Sequence, residues 1–99
     1  MVAIGNGLAI ARFSHIDAAK SAKNLAGRKL PFEAVVDFDW IGASVAIDSR
    51  NAYSEQRLVA IGYLNERLHV LCFTPMTGGI RVISLRRANK REVARYENP

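Results

Sequence analysis

Hydrophobic and polar positions along the chain change period twice, and each change predicts a new kind of element. Between residues 15 and 26, Ala18, Ala22 and Leu25 recur at i, i+4 and i+7, the stripe of an amphipathic helix. Lys20, Lys23 and Asn24 fall on a different, polar face of that helix. Ser14 and Asp17 stand at capping-box spacing at its start, and Gly27 is placed to stop it. Pro31 suits the first turn of a second, short helix, in which Phe32, Val35 and Val36 share a face. Phe38 and Trp40 follow and are expected to close the core.

From residue 43 the period shortens to that of strands. Residues 44–47, 57–63, 68–74 and 80–85 read as four strands. A polar turn at residues 48–51, a hairpin at Asn65-Glu66 and a loop at residues 75–79 separate them. Links this short demand antiparallel neighbours, because a parallel crossover needs about a dozen residues or more. Asn89 and Glu92 then have the spacing of a capping box, and Val93 and Tyr96 give a final helix its apolar foothold. The order is two N-terminal helices, a four-stranded antiparallel meander and a C-terminal helix. That is an α+β fold, expected to pack its helices against one face of the sheet.

Length allows one domain. Residues 1–12 are read as a leader extension and residues 13–99 as the domain itself. No run approaches the roughly 18–20 apolar residues that span a bilayer, and the apolar opening has no basic region before it. Cys72, the single cysteine, rules out an intrachain disulfide, sits in an apolar run and suits a reducing cytoplasm. The two histidines form no Cys-x-x-Cys or His-Glu-x-x-His arrangement, so neither a metal nor another cofactor is expected. No P-loop or complete dinucleotide fingerprint is present.

Charge changes the picture more than composition does. The net charge is +5, and residues 81–99 hold six basic groups against two acidic ones. A basic field so concentrated attracts phosphate backbones or an acidic partner. Two arginines stand out because they alternate onto strand faces among apolar neighbours: Arg57 with Val59, Ile61 and Tyr63, and Arg81 with Ile83 and Leu85. A charge in that setting needs a carboxylate, a sheet edge or a phosphate. Glu55 is the nearest carboxylate to Arg57, so a structural Arg57–Glu55 pair is one reading. The other is a guanidinium cluster that binds an RNA phosphate. Such a cluster suits cleavage without metal, in which the ribose 2′-hydroxyl attacks the adjacent phosphorus and arginines stabilise the added charge. Glu55 or His69 would be the candidate proton carrier.

These residues fall into blocks that resemble a known family. Asp17-Ala18-Ala19-Lys20 with Asn24, Phe32-Glu33, residues 53–57 followed by Ala60-Ile61-Gly62, and above all residues 81–92 running on to Tyr96 are similar to the BrnT toxins of bacterial type II toxin–antitoxin systems. The resemblance covers about 85 residues, from Phe13 to Glu97. It implies a RelE-like fold, endoribonuclease activity that inhibits translation, and neutralisation by a cognate BrnA-like ribbon-helix-helix antitoxin, with operator DNA contacted only through that antitoxin. On this reading Arg57, Glu55, Arg81 and Arg86 are the catalytic candidates. Lys20, Lys23, Arg28, Arg87, Lys90, Arg91 and Arg95 are the RNA-binding ones. The chain departs from the family at Gly27-Arg28-Lys29, where Lys-His-Gly is usual. If that histidine assists catalysis, Arg28 does not replace it as an acid–base group. A non-catalytic RNA- or protein-binding module on the same fold is the alternative. A DNA-binding reading of the basic last helix lacks a preceding helix-turn-helix.

Overall fold

The computed structural model describes residues 17–49 and 55–99, so the leader and Ser14 lie outside the described residues. Helix α1 (Ala18–Arg28) leads into a single 3-10 turn segment (Phe32–Asp37), then strands β1 (Ser44–Ile47), β2 (Leu58–Leu64), β3 (Arg67–Met76) and β4 (Gly79–Arg87), and helix α2 (Lys90–Glu97). The strands form one sheet in the order β1-β2-β3-β4, antiparallel throughout. None of the helices is long and apolar enough to cross a membrane among the described residues.

Several predicted boundaries move, each for a local reason. Asp17 itself is the N-cap of α1, in extended backbone, and its carboxylate accepts from the Lys20 amide; it is not the third residue of a helix already begun. The helix also runs past Gly27 to Arg28, and Lys29 takes the left-handed closing position, φ 62°. The second helix is 3-10, with three residues per turn, so Phe32 and Val35 line up on the core while Val36 is turned out to solvent. The expected loop at residues 75–79 shrinks to a two-residue turn at Thr77-Gly78, with Gly78 at φ 81°. Among the described residues β2 pairs with β3 only as far as Leu58↔Phe73, so Pro75 is paired with Ile80 of β4 alone, an edge position that tolerates its missing N–H. Asn65 and Glu66 both have positive φ, as a two-residue type I′ hairpin requires.

The core lies between one sheet face and the α1/3-10 layer. Phe32, Val35, Phe38 and Trp40 from the segment before β1 meet Leu58, Ala60, Leu71, Phe73, Val82 and Leu85 from the strands. Trp40 makes edge-on ring contacts with Phe38 at 5.0 Å and Phe73 at 5.3 Å between centroids. Gly62 is required where β2 passes under this layer, because a Cβ there would come within 2.9 Å of the Phe38 ring and 3.1 Å of the Asp39 carbonyl.

Two expectations about the helices are overturned. The predicted stripe of α1 is not its buried face: Ala18 and Ala22 are exposed and Leu25 is 48% exposed, whereas Ser21 and Asn24 are buried. Polar bonding docks the helix. Ser21 donates to Glu33 and accepts from the Phe32 amide, and the Asn24 amide nitrogen donates to the carbonyls of Leu30 and Leu85. Nor do all helices cover one face. α2 crosses the end of the opposite face: its Tyr96 ring meets Tyr63 edge-on and its hydroxyl donates to the Gly42 carbonyl. Among the described residues no other helix crosses that second face, the open face of the sheet, although Val70, Cys72 and Thr74 are buried on it, and it carries the candidate chemistry.

Candidate functional site

Strand alternation sets the open face. With Leu58, Ala60, Leu71, Phe73, Val82 and Leu85 on the core side, Arg57, Val59, Ile61, Val70, Cys72, Thr74, Arg81, Ser84 and Arg86 fall on the other. A bulge reverses the odd–even alternation within β4, so Arg81 lies on the open face while Leu85 is in the core, and the two do not share a face as strict alternation predicts. Cys72 pairs with Ser84 but Phe73 pairs with Val82, so Ile83 is the extra residue.

A cavity of about 480 Å³ occupies this face. Val59, Ile61, Val70 and Cys72 make an apolar floor, α2 closes one end with Glu92 and Arg95, Asp48 and Ser49 stand after β1, and Arg86 and Arg28 reach in from β4 and α1. Seven of its twelve described lining residues are polar or charged, so a short apolar floor is ringed by a charged wall, a combination suited to an anionic, base-bearing ligand.

Arg86 is clamped. Its two terminal nitrogens donate to the two carboxylate oxygens of Glu92 at 2.8 Å each, the bidentate geometry that fixes a guanidinium plane. Glu92 simultaneously accepts from the Asn89 amide at 2.9 Å while Asn89 caps the Glu92 amide, so the predicted capping box is formed and also holds a strand arginine. The Arg86 hydrogen bonds pull the Glu92 carboxyl down to about 2, against the opposing effect of burial. A carboxylate that acidic keeps its charge and orients Arg86; it does not shuttle protons near neutrality.

The folded-state pKa of Glu92 lies below its unfolded value. Its stabilising pair is therefore complete above about pH 4.5 and is lost as pH falls toward 2. Glu92→Gln should cost about 1 kcal/mol at pH 7, a value kept small by the solvent exposure of Arg86. The variant should also flatten the acid limb of stability between those pH values. Denaturant melts of both proteins across that range check this; parallel acid limbs would contradict it.

The other candidates are distributed differently. Arg81 and Glu55 form an ion pair with each other, a pairing the local spacing of Glu55 and Arg57 did not suggest. Arg57 directly precedes β2, and its carbonyl accepts from the Asp48 amide at 2.8 Å. Arg57 and Arg81 share the level of Thr74 at one end of the open face. Arg86 lies four residues of β3 away, opposite Val70, roughly 13 Å along the strands. Neither Arg57 nor Arg81 lines the cavity. Arg87 alternates to the other face opposite His69, and Lys90 and Arg91 are exposed on α2 outside the cavity. Lys20 and Lys23 line a separate groove beside α1, together with Arg28.

His69, the alternative proton carrier, is on the core side of β3, almost wholly buried, with Nδ1 bonded to the Arg67 carbonyl at 2.7 Å. Burial lowers its pKa; the Arg67 carbonyl opposes this, and the charges of Arg87 and Arg67 lower it further. It does not share the face that holds Arg57, Arg81 and Arg86. No group of three His, Cys, Asp or Glu side chains gathers among the described residues. Glu92 and Ser84 are the contributors that sequence reasoning missed. Glu92 was visible only as a cap, because its six-residue separation from Arg86 reveals a contact only once the strand-to-helix corner is known.

Residues 17–92 match the family model described as the ribonuclease toxin BrnT of type II toxin–antitoxin systems, a span that includes α1, the whole sheet and Glu92. The chain belongs to the BrnT family. No curated protein matches it. Membership makes it a ribonuclease toxin by family, with a cognate antitoxin as its partner, on the α+β scaffold described above.

Proposed function

We propose that this BrnT toxin cleaves RNA without metal on the open face of its sheet, with the scissile phosphodiester held at the cavity between Arg86, Arg28 and Arg95. The observation that carries this reading is the clamped Arg86 beside an apolar floor. The floor takes a base, and the guanidiniums take the phosphate.

In the reaction the 2′-hydroxyl loses its proton as its oxygen bonds to phosphorus. The bond from phosphorus to the 5′ oxygen breaks, and that oxygen picks up a proton, leaving a 2′,3′-cyclic phosphate and a 5′-hydroxyl. Arg86 stabilises the extra negative charge on the phosphoryl oxygens as it develops. Arg81 and Arg57, farther along the same face, bind the strand on one side; Glu55 is held by Arg81 away from the cavity, so water takes the 2′ proton and returns one to the 5′ oxygen. Lys90, Arg91 and Arg95 add phosphate contacts along α2, and Arg87 adds one from the other face. The substrate is cytoplasmic RNA, and a BrnA-like ribbon-helix-helix antitoxin silences the toxin and alone contacts operator DNA.

Purified toxin should cut single-stranded RNA equally well with and without EDTA and leave cyclic-phosphate ends. Cleavage abolished by EDTA and restored by a divalent cation would remove the mechanism. One observation favours a second reading, a non-catalytic binding module: Arg81 and Arg86 are each already matched by a carboxylate. Growth arrest on expression without antitoxin, accompanied by cut RNA, decides for the enzyme; RNA binding with neither decides for the module.

A further inference from the structure

A second concavity lies outside the open face. It is a groove of about 410 Å³ between α1 and the bulged stretch of β4. Lys20, Lys23 and Arg28 form its rim, Ile83 and Phe32 its floor, and none of the described residues lining it is acidic. Its shape has a definite origin. The bulge leaves Ile83 out of the ladder, and α1 is held against β4 by the Asn24 bond to the Leu85 carbonyl. Along α1, Lys20, Lys23 and Gly27 fall at i, i+3 and i+7, so they share one face over roughly 10 Å. Gly27 keeps that face low: a Cβ added there would meet nothing within 4 Å.

Arg28 and Ser84 line both this groove and the open-face cavity. The two concavities therefore meet around the edge of β4. We propose that the α1/β4 groove is a second subsite for single-stranded RNA, holding the nucleotides that flank the scissile phosphodiester on one side of the cut. The inference rests on the cleavage site proposed above and adds the path of the strand away from it. Three cations with an apolar floor, continuous with a phosphate-binding cavity, match the alternation of phosphate and base along an unpaired strand. The arginine at the junction contacts the strand as it turns the edge.

Gly27→Glu tests this, with Gly27→Gln as the control of equal size. Both replace a helical glycine at an open position, so neither threatens the fold. Binding of fluorescein-labelled single-stranded RNA of about twelve nucleotides, and of a core of about four, is measured by fluorescence anisotropy on the full chain. Cleavage of the same two RNAs is followed in parallel. The wild type should bind the longer RNA about tenfold more tightly than the core. Gly27→Glu should abolish that advantage and raise KM about tenfold with kcat unchanged, while Gly27→Gln keeps most of it. Equal affinity of the wild type for both lengths would overturn the subsite, as would equal losses on both RNAs. So would a Gly27→Glu effect confined to antitoxin binding, which would make the groove a protein-docking surface. Length-dependent, Gly27→Glu-sensitive binding without cleavage would keep the subsite and remove the catalytic reading instead.

Discussion

Arg86→Ala should lower RNA cleavage about 10²–10³-fold, the loss typical of removing one preorganised donor to a developing oxyanion. Growth arrest without antitoxin should disappear with it. The effect is large because Arg86 is already oriented before substrate arrives: Glu92 holds both terminal nitrogens, and the capping box holds Glu92. No reorganisation is then needed at the moment of reaction. Lys90→Ala should change cleavage only a few-fold, since Lys90 is an exposed helix cation among several that meet phosphates interchangeably. Arg81→Ala should fall between the two, because Arg81 is held by Glu55 but lies at the far end of the face. Initial rates on labelled RNA, with melting temperatures confirming that each variant folds, provide the ranking. Equal losses from all three would make the arginines a diffuse electrostatic surface. A larger loss at Arg81 than at Arg86 would move the scissile phosphate to the Arg57 end of the sheet.

The second large effect is on stability. Asn24→Ala should destabilise the protein by about 2–3 kcal/mol, from two lost hydrogen bonds and two carbonyls left without a partner in a buried setting. In a domain of this size that lowers the melting temperature by roughly 10–20 °C. The Asn24 side chain joins α1 to the Leu30 carbonyl and to the Leu85 carbonyl in β4, both at 2.8 Å, and it also accepts from Arg28 at 3.2 Å. Its loss therefore frees α1 from the sheet edge and releases Arg28 from its place beside the cavity. Leu25→Ala on the same helix should cost no more than about 0.5 kcal/mol, because Leu25 packs little against the sheet. Thermal unfolding of the two variants measures the contrast. Leu25→Ala as costly as Asn24→Ala would mean that the apolar stripe of α1 is buried after all.

That contrast shows where pattern reading succeeds and where it fails. The strands were legible because alternation, β-branched residues and turn chemistry all agreed; Asn65-Glu66 and the Asn89–Glu92 capping box appear as expected. The α1 stripe misled because its alanines are small and its polar residues are short. Ser21 and Asn24 make better contacts with exposed backbone groups than Ala18 and Ala22 make with anything. Val36 misled because the segment coils with three residues per turn, which removes it from the line of Phe32 and Val35. The candidate site was legible as residue types and only partly as positions. Arg86 was named from its block, but Glu92 was read only as a cap and not also as its partner, and the ion pair of Glu55 with Arg81 was not read at all.

The amino-acid sequence alone determined the four antiparallel strands, the last helix with its cap, the concentration of positive charge and the family. The strands, the cap and the charge follow from interactions between residues close in the chain, or from composition, and the family from its sequence blocks; no knowledge of long-range contacts is needed to read them. Only the tertiary structure decided which arginines share a cavity, which carboxylate holds each one, and that His69 is on the far side of the sheet from them. The physical reason is that a one-residue bulge at Ile83 and the corner between β4 and α2 determine where side chains many residues apart converge. Neither the bulge nor the corner leaves a periodic mark in the sequence.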